Sequence, residues 1–147
     1  MTVRRLEPGD WLEWRRMRCA LWPDASAAEH ESEMGVWSAR SDAVVVVSVR
    51  PSGGLRGFAE AGSRPYADGC RTSPVAFLEG WYVDADSRLT GVGRLLVGAV
   101  EAWAREQGLQ ELASDTLLDN EPSQRAHERL GFVEVERAVR YRKAVAP

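Results

Sequence analysis

The sequence predicts an α/β protein: one domain over residues 1–147, with a central sheet of about seven strands and four helices. Three observations predict it. Apolar β-branched runs such as "AVVVVSV" (43–49) read as strands covered on both faces. Segments with apolar residues at helical spacing alternate with these runs. The Pro/Gly/Ser clusters at 51–54 and 62–74 are short enough to be loops inside a single domain.

The elements follow in order. "TVRRL" opens as a short strand. "GDWLEWRRMRCALWPD" reads as a helix: Trp14, Met17 and Leu21 share one stripe, Asp10 and Glu13 have capping-box spacing, and Pro23 ends it. "SAAEHESEMGVWSAR" repeats the device with Ser26 and Glu29. "AVVVVSV" and "LRGFAEAG" flank the turn "SGG" as a hairpin, and "PVAFLEGWYV" (74–83) is a long strand. Val92, Leu95, Leu96, Ala99, Val100 and Trp103 recur at helical spacing until Gly108. "LQELASD" is the next strand, and "NEPSQRAHERL" is a helix capped by Asn120. "GFVEVE" and "AVRYRKAV" close the chain as two strands.

Bulk properties narrow the function. Nineteen basic and 22 acidic residues give a net charge of -3, which argues against a nucleic-acid binder and leaves a cationic small partner free of global repulsion. With no signal peptide and no long apolar stretch, the expectation is a cytoplasmic protein without a membrane partner. The two cysteines, Cys19 and Cys70, lie in no metal-like or redox spacing, so free thiols and no metal are expected.

The chemistry starts at "SRLTGVGRLL" (87–96). A strand, then Arg88-x-x-Gly91-x-Gly93, then a helix is anion-binding architecture: first-turn N–H groups lack partners, the dipole favours negative charge, and glycines admit a phosphate. Arg88 and Arg94 add positive charge. No Gly-Lys-Ser/Thr follows, so this is not a P-loop, and one glycine of the dinucleotide fingerprint is missing.

This strand–turn–helix resembles motif A of the GNAT acetyltransferase superfamily, and "NEPSQRAHERLGF" resembles its motif B; together they cover residues 75 to 132. The element order is also similar to the GNAT fold, a mixed sheet. "RCALWPD", "TSPVAFLEGWYV", "ASDTLLDN" and "HERLGF" further resemble the aminoglycoside 6'-N-acetyltransferases. The resemblance implies acetyl-CoA as co-substrate, an aminoglycoside as acceptor, direct transfer in a ternary complex, antibiotic resistance and a homodimer. It also implies cofactor contacts from the backbone of Tyr82 and Val83, from the turn (Arg88, Gly91, Val92, Gly93, Arg94) and from Asn120.

Transfer to an amine requires a base. Asp115 ends a strand, where open α/β sheets face the ligand crevice, and "ASD" resembles the family segment that carries an acidic active-site residue. Glu79 sits in an apolar strand, on the face of Phe77 and Trp81 by alternation, where a carboxylate needs a partner or a polar cavity. Either carboxylate, or a water relay, serves as the base. His127 stands where many GNAT proteins carry a tyrosine, and is the candidate acid for the leaving thiolate. For a polycationic acceptor, Glu79, Asp115 and Glu136 supply charge, and Trp22 and Tyr66 supply flat walls. The rival readings are a GNAT enzyme for another small amine or a peptide, and a non-catalytic acetyl-CoA sensor.

Overall fold

A computed structural model describes residues 2–147. It divides after Asp115 into two compact units, the second being Thr116–Pro147.

The first unit carries a five-stranded mixed sheet in the order β1 (Thr2–Arg5), β2 (Ala43–Val49), β3 (Leu55–Arg64), β4 (Val75–Val83) and β5 (Leu112–Ser114). The first three pairings are antiparallel and the β4–β5 pairing is parallel. A parallel pair needs a crossover, here α3 (Val92–Glu106). Helices α1 (Trp11–Leu21) and α2 (Ala27–Ala39) lie between β1 and β2 in the chain.

The sheet is covered on both faces. Phe58 joins Trp14, Met17 and Met34 in the core under α1 and α2, all of them inaccessible. The next residue back, Gly57, faces Val92 and Leu96 of α3. Val44–Val47 are buried throughout, as the continuous apolar run requires. No helix of the described residues is long and apolar enough to cross a membrane.

The Ser26–Glu29 capping box forms as expected: Ser26 Oγ accepts the Glu29 N–H (3.1 Å) and Glu29 reaches back to the Ser26 N–H (3.4 Å). Asp10 and Glu13 do not form one. Pro8 starts a 3-10 turn one step earlier, and Asp10 closes it by accepting the Glu7 N–H (2.8 Å) and Arg4 (2.7 Å). Glu13 instead accepts the N–H of Leu55 (3.0 Å).

The second unit holds α4 (Glu121–Arg129). Asn120 caps it by accepting the Ser123 N–H (3.2 Å). Its end explains "HERLGF". Gly131 takes φ 90 and donates to Glu128, while Phe132 donates to the His127 carbonyl and packs edge-on to the His127 ring (5.1 Å). The two closing strands are a correction. Residues 132–147 carry no helix or strand, so the sheet has five strands rather than about seven. Alternation in "FVEVE" is insufficient, because a strand exists only where a neighbour accepts its N–H groups. Val133, Val135, Val139 and Tyr141 stay exposed.

Candidate active site

The site begins where two strands part. Strand β4 stays paired to β3 up to Val83, but its ladder with β5 ends at Leu78 opposite Ser114. Ser114 Oγ reaches the Leu78 carbonyl (3.4 Å) at that last rung. Beyond it, the β5-facing edge of residues 79–83 leaves the ladder. Tyr82 and Val83, the backbone positions the resemblance assigns to the cofactor, lie on this stretch.

Glu79 and Asp115 are the residues that follow the last pair, one on each strand. Parallel register therefore sets both carboxylates at the mouth of the wedge. Asp115 is exposed. Glu79 differs from expectation. Glu60 pairs with Gly80 and Ala61 with Leu78, so Glu79 is the extra residue of a β-bulge. The bulge breaks the alternation: Phe77 pairs with Gly62 and Trp81 with Ala59, which puts those two rings on opposite faces. Glu79 is also partnered. Both its oxygens take the Arg64 guanidinium, one at 2.7 Å, and Arg64 lies over the Phe77 ring (3.6 Å).

Trp22, on the turn after α1, lies across the same stretch of β4. A Cβ at Gly80 would stand 2.7 Å from Trp22 Cη2, so glycine is what lets the indole approach the strand beside Glu79. Tyr66 sits in the β3–β4 loop and is exposed. Glu111 ties that loop down by accepting the N–H groups of Arg71 (2.8 Å) and Thr72 (2.7 Å).

The turn between β4 and α3 leaves the start of the helix without a side-chain cap. Gly91 is the N-cap, with φ 89, and offers no side chain to the first-turn N–H groups of α3. Arg88 donates from Nε to the Val83 carbonyl (3.0 Å), and both Arg88 and Arg94 are exposed. The two glycines have separate causes. A Cβ at Gly91 would meet open space, so the backbone angle demands glycine there; a Cβ at Gly93 would stand 3.1 Å from the Trp81 ring. Trp81 Nε1 donates to the Gly93 carbonyl (3.2 Å).

Behind the turn stands a charge cluster. Asp84 follows β4 and takes both terminal nitrogens of Arg16 (3.0 and 3.0 Å) and one of Arg50 (2.8 Å). Burial pushes the Asp84 carboxyl up, but hydrogen bonds from Arg16, Arg50 and Tyr82 outweigh it and hold it down at about 2. The same cluster raises Arg16 above its ordinary value.

The remaining candidates lie in the second unit. His127 Nδ1 is 2.7 Å from the Ser123 carbonyl. A carbonyl only accepts, so Nδ1 carries the proton of that bond. Asn120 caps α4, and Glu136 is exposed in the segment without strands.

The sequence reading missed the partners: Arg64, Arg16, Arg50 and Asp84. Each pair spans 15 or more residues, and no local period marks it. "YVDADSR" did offer one signal, an aspartate closing an apolar strand.

Known proteins share this architecture. The model of the acetyltransferase (GNAT) family matches residues 11–132. An aminoglycoside N(6')-acetyltransferase type 1 of Klebsiella aerogenes is 46% identical over 96% of this chain and 95% of its own. One of Stenotrophomonas maltophilia is 40% identical over 99% and 95%. Among solved structures, the apo 6'-N-acetyltransferase of Acinetobacter haemolyticus has TM-score 0.93 at 34% identity, covering 99% of this chain and 100% of that one. AAC(6')-Iy, bound to the bisubstrate analogue CoA-S-monomethyl-acetylneamine, has TM-score 0.92 at 35% identity, covering 98% of each chain. The parted strands, the uncapped helix after Gly91 and these full-length matches lead to one conclusion: the chain belongs to the GNAT acetyltransferase family, among the aminoglycoside 6'-N-acetyltransferases.

Proposed function

We propose that this chain transfers the acetyl group of acetyl-CoA to the 6'-amine of aminoglycosides, by direct attack in a ternary complex. One observation carries the reading: two carboxylates, Glu79 and Asp115, flank the point where β4 leaves β5. Acetyl-CoA supplies the acetyl group as a thioester. The N-terminus of α3 suits its pyrophosphate, with Arg88, Gly91, Val92, Gly93 and Arg94 as the cradle.

The backbone at Tyr82 and Val83 polarises the acetyl carbonyl, since fixed N–H groups favour the charge that develops there. Asp115 takes a proton from the 6'-ammonium, directly or through water; the free amine forms the new C–N bond as the C–S bond breaks, and the nitrogen gives up its second proton to solvent to leave the neutral amide. Glu79 exchanges Arg64 for an acceptor ammonium. His127 returns a proton to the departing thiolate, and Asn120 contacts the pantetheine amides. Trp22 and Tyr66 complete the acceptor side. Acetylation deletes a positive charge and a donor from the drug, which confers resistance. The enzyme works in the cytoplasm as one 147-residue catalytic domain and as a homodimer.

Thiol release from acetyl-CoA, measured with paired 6'-amino and 6'-hydroxy aminoglycosides, tests the assignment. Release with the amines and none with the hydroxyls is expected. No release across the panel, with acetyl-CoA still bound, overturns the acceptor.

A further inference from the structure

Arg18, Glu60 and His30 form a polar cluster inside the first unit, exposed by only 1%, 1% and 0%. Charged groups are rare at such depth, and apolar residues of similar volume are commonly no less stable there. The cluster is connected. Glu60 Oε1 accepts from Trp14 Nε1 (2.9 Å) and from Arg18 Nη1. Arg18 Nη2 pairs with Glu33, and Arg18 Nε donates to His30 Nδ1 (3.3 Å). His30 Nε2 lies 3.0 Å from the Trp22 carbonyl oxygen. A guanidinium only donates and a carbonyl only accepts, so His30 is neutral, with its hydrogen on Nε2.

The chain of bonds ends on Trp22. There the same residues also hold the ring. The Arg18 guanidinium stands 4.8 Å from the Trp22 ring centroid, and the His30 ring stacks on it at 6.3 Å and 22°. Phe58 meets it edge-on (6.4 Å), and Gly80 leaves room for its far edge. A half-buried tryptophan on a turn is thus fixed at its backbone and its ring, beside Glu79. Satisfaction of the cluster itself is incomplete: Glu60 Oε2 is buried with no hydrogen-bond partner among the described residues. The groups are arranged around Arg18 and Trp22.

We propose that Arg18, His30 and Glu60 are positioning residues that hold Trp22 as a rigid wall for a sugar ring of the cationic acceptor. The proposal rests on the assignment of Trp22 to the acceptor site. A pre-set wall lowers the ordering that binding requires, so loosening it weakens acceptor binding and leaves the cofactor side intact.

A double-mutant cycle tests it: Trp22→Ala, His30→Phe and both together, read by KM for a 6'-amino aminoglycoside and for acetyl-CoA. Loss of a buried hydrogen bond of this kind predicts that His30→Phe raises the acceptor KM about tenfold. The acetyl-CoA KM stays unchanged, and adding His30→Phe to Trp22→Ala has no further effect. Glu60→Gln, which keeps the side-chain volume, gives the same readout if His30→Phe fails to fold. An equal rise on the Trp22→Ala background, or a rise in both KM values, overturns the positioning role while Trp22 keeps its place. No change with Trp22→Ala alone overturns the acceptor-wall assignment, and the positioning role with it.

Discussion

Asp84→Asn is the sharpest test of how the turn between β4 and α3 is held. Asp84 accepts two hydrogen bonds from Arg16 and one from Arg50, with its side chain only 11% exposed. Its carboxyl falls from 3.8 to about 2. That difference corresponds to about 2.5 kcal/mol of folding stability at neutral pH. Asparagine keeps one acceptor and turns a donor toward two guanidiniums, so the loss is about 2–3 kcal/mol. In a chain of this length that lowers Tm by roughly 5–10 °C. The sign with pH is fixed. A carboxyl held down in the folded state stabilises fully above its unfolded value near 3.8, and the contribution fades as pH falls toward 2. Urea titration of wild type and variant should give a constant gap from pH 8 to 5 and about half of it at pH 3. A Tm change under about 1 °C at pH 7, or a gap that persists undiminished at pH 3, refutes the reasoning.

Three further outcomes are expected. Gly91→Ala meets open space at Cβ, so its penalty is backbone strain alone at φ 89: about 1–2 kcal/mol by thermal melting, with a raised KM for acetyl-CoA. Asp115→Asn lowers kcat by about a hundredfold or more at unchanged acetyl-CoA affinity, as removal of a general base requires, whereas Glu79→Gln acts on the acceptor KM. Arg64→Ala removes the cation that competes for Glu79, so the aminoglycoside KM falls at low ionic strength and the difference shrinks as salt is added.

Most of the fold was legible because its signals are local. The Ser26–Glu29 box, the stripe of Trp14 and Met17, and the closing glycine of "HERLGF" each work within four or five residues. What was not legible depends on partners far along the chain. Alternation placed Glu79 with Phe77 and Trp81, but a one-residue bulge set by the pairing with Glu60 and Ala61 parts the two rings. Asp10 had the spacing of a cap for Glu13, yet Arg4 and the Pro8 turn claimed it. "GFVEVE" has the period of a strand without a ladder to join. For the site, Asp115 was placed by the end of its strand, whereas the setting of Glu79, its partner Arg64 and the Arg18–Glu60 pair had no period to reveal them.

The parting of β4 from β5 after Leu78 has an evolutionary consequence. The groups that would polarise the acyl carbonyl are main-chain amides, which every residue except proline supplies. Substitutions along residues 79–83 therefore leave the transfer chemistry in place while they reshape the acceptor side through Glu79, or through whatever leans on Gly80. Drug preference and catalytic power are separately adjustable in such a scaffold. Changing antibiotics select among these side chains, while the amides that would polarise the carbonyl come with the backbone.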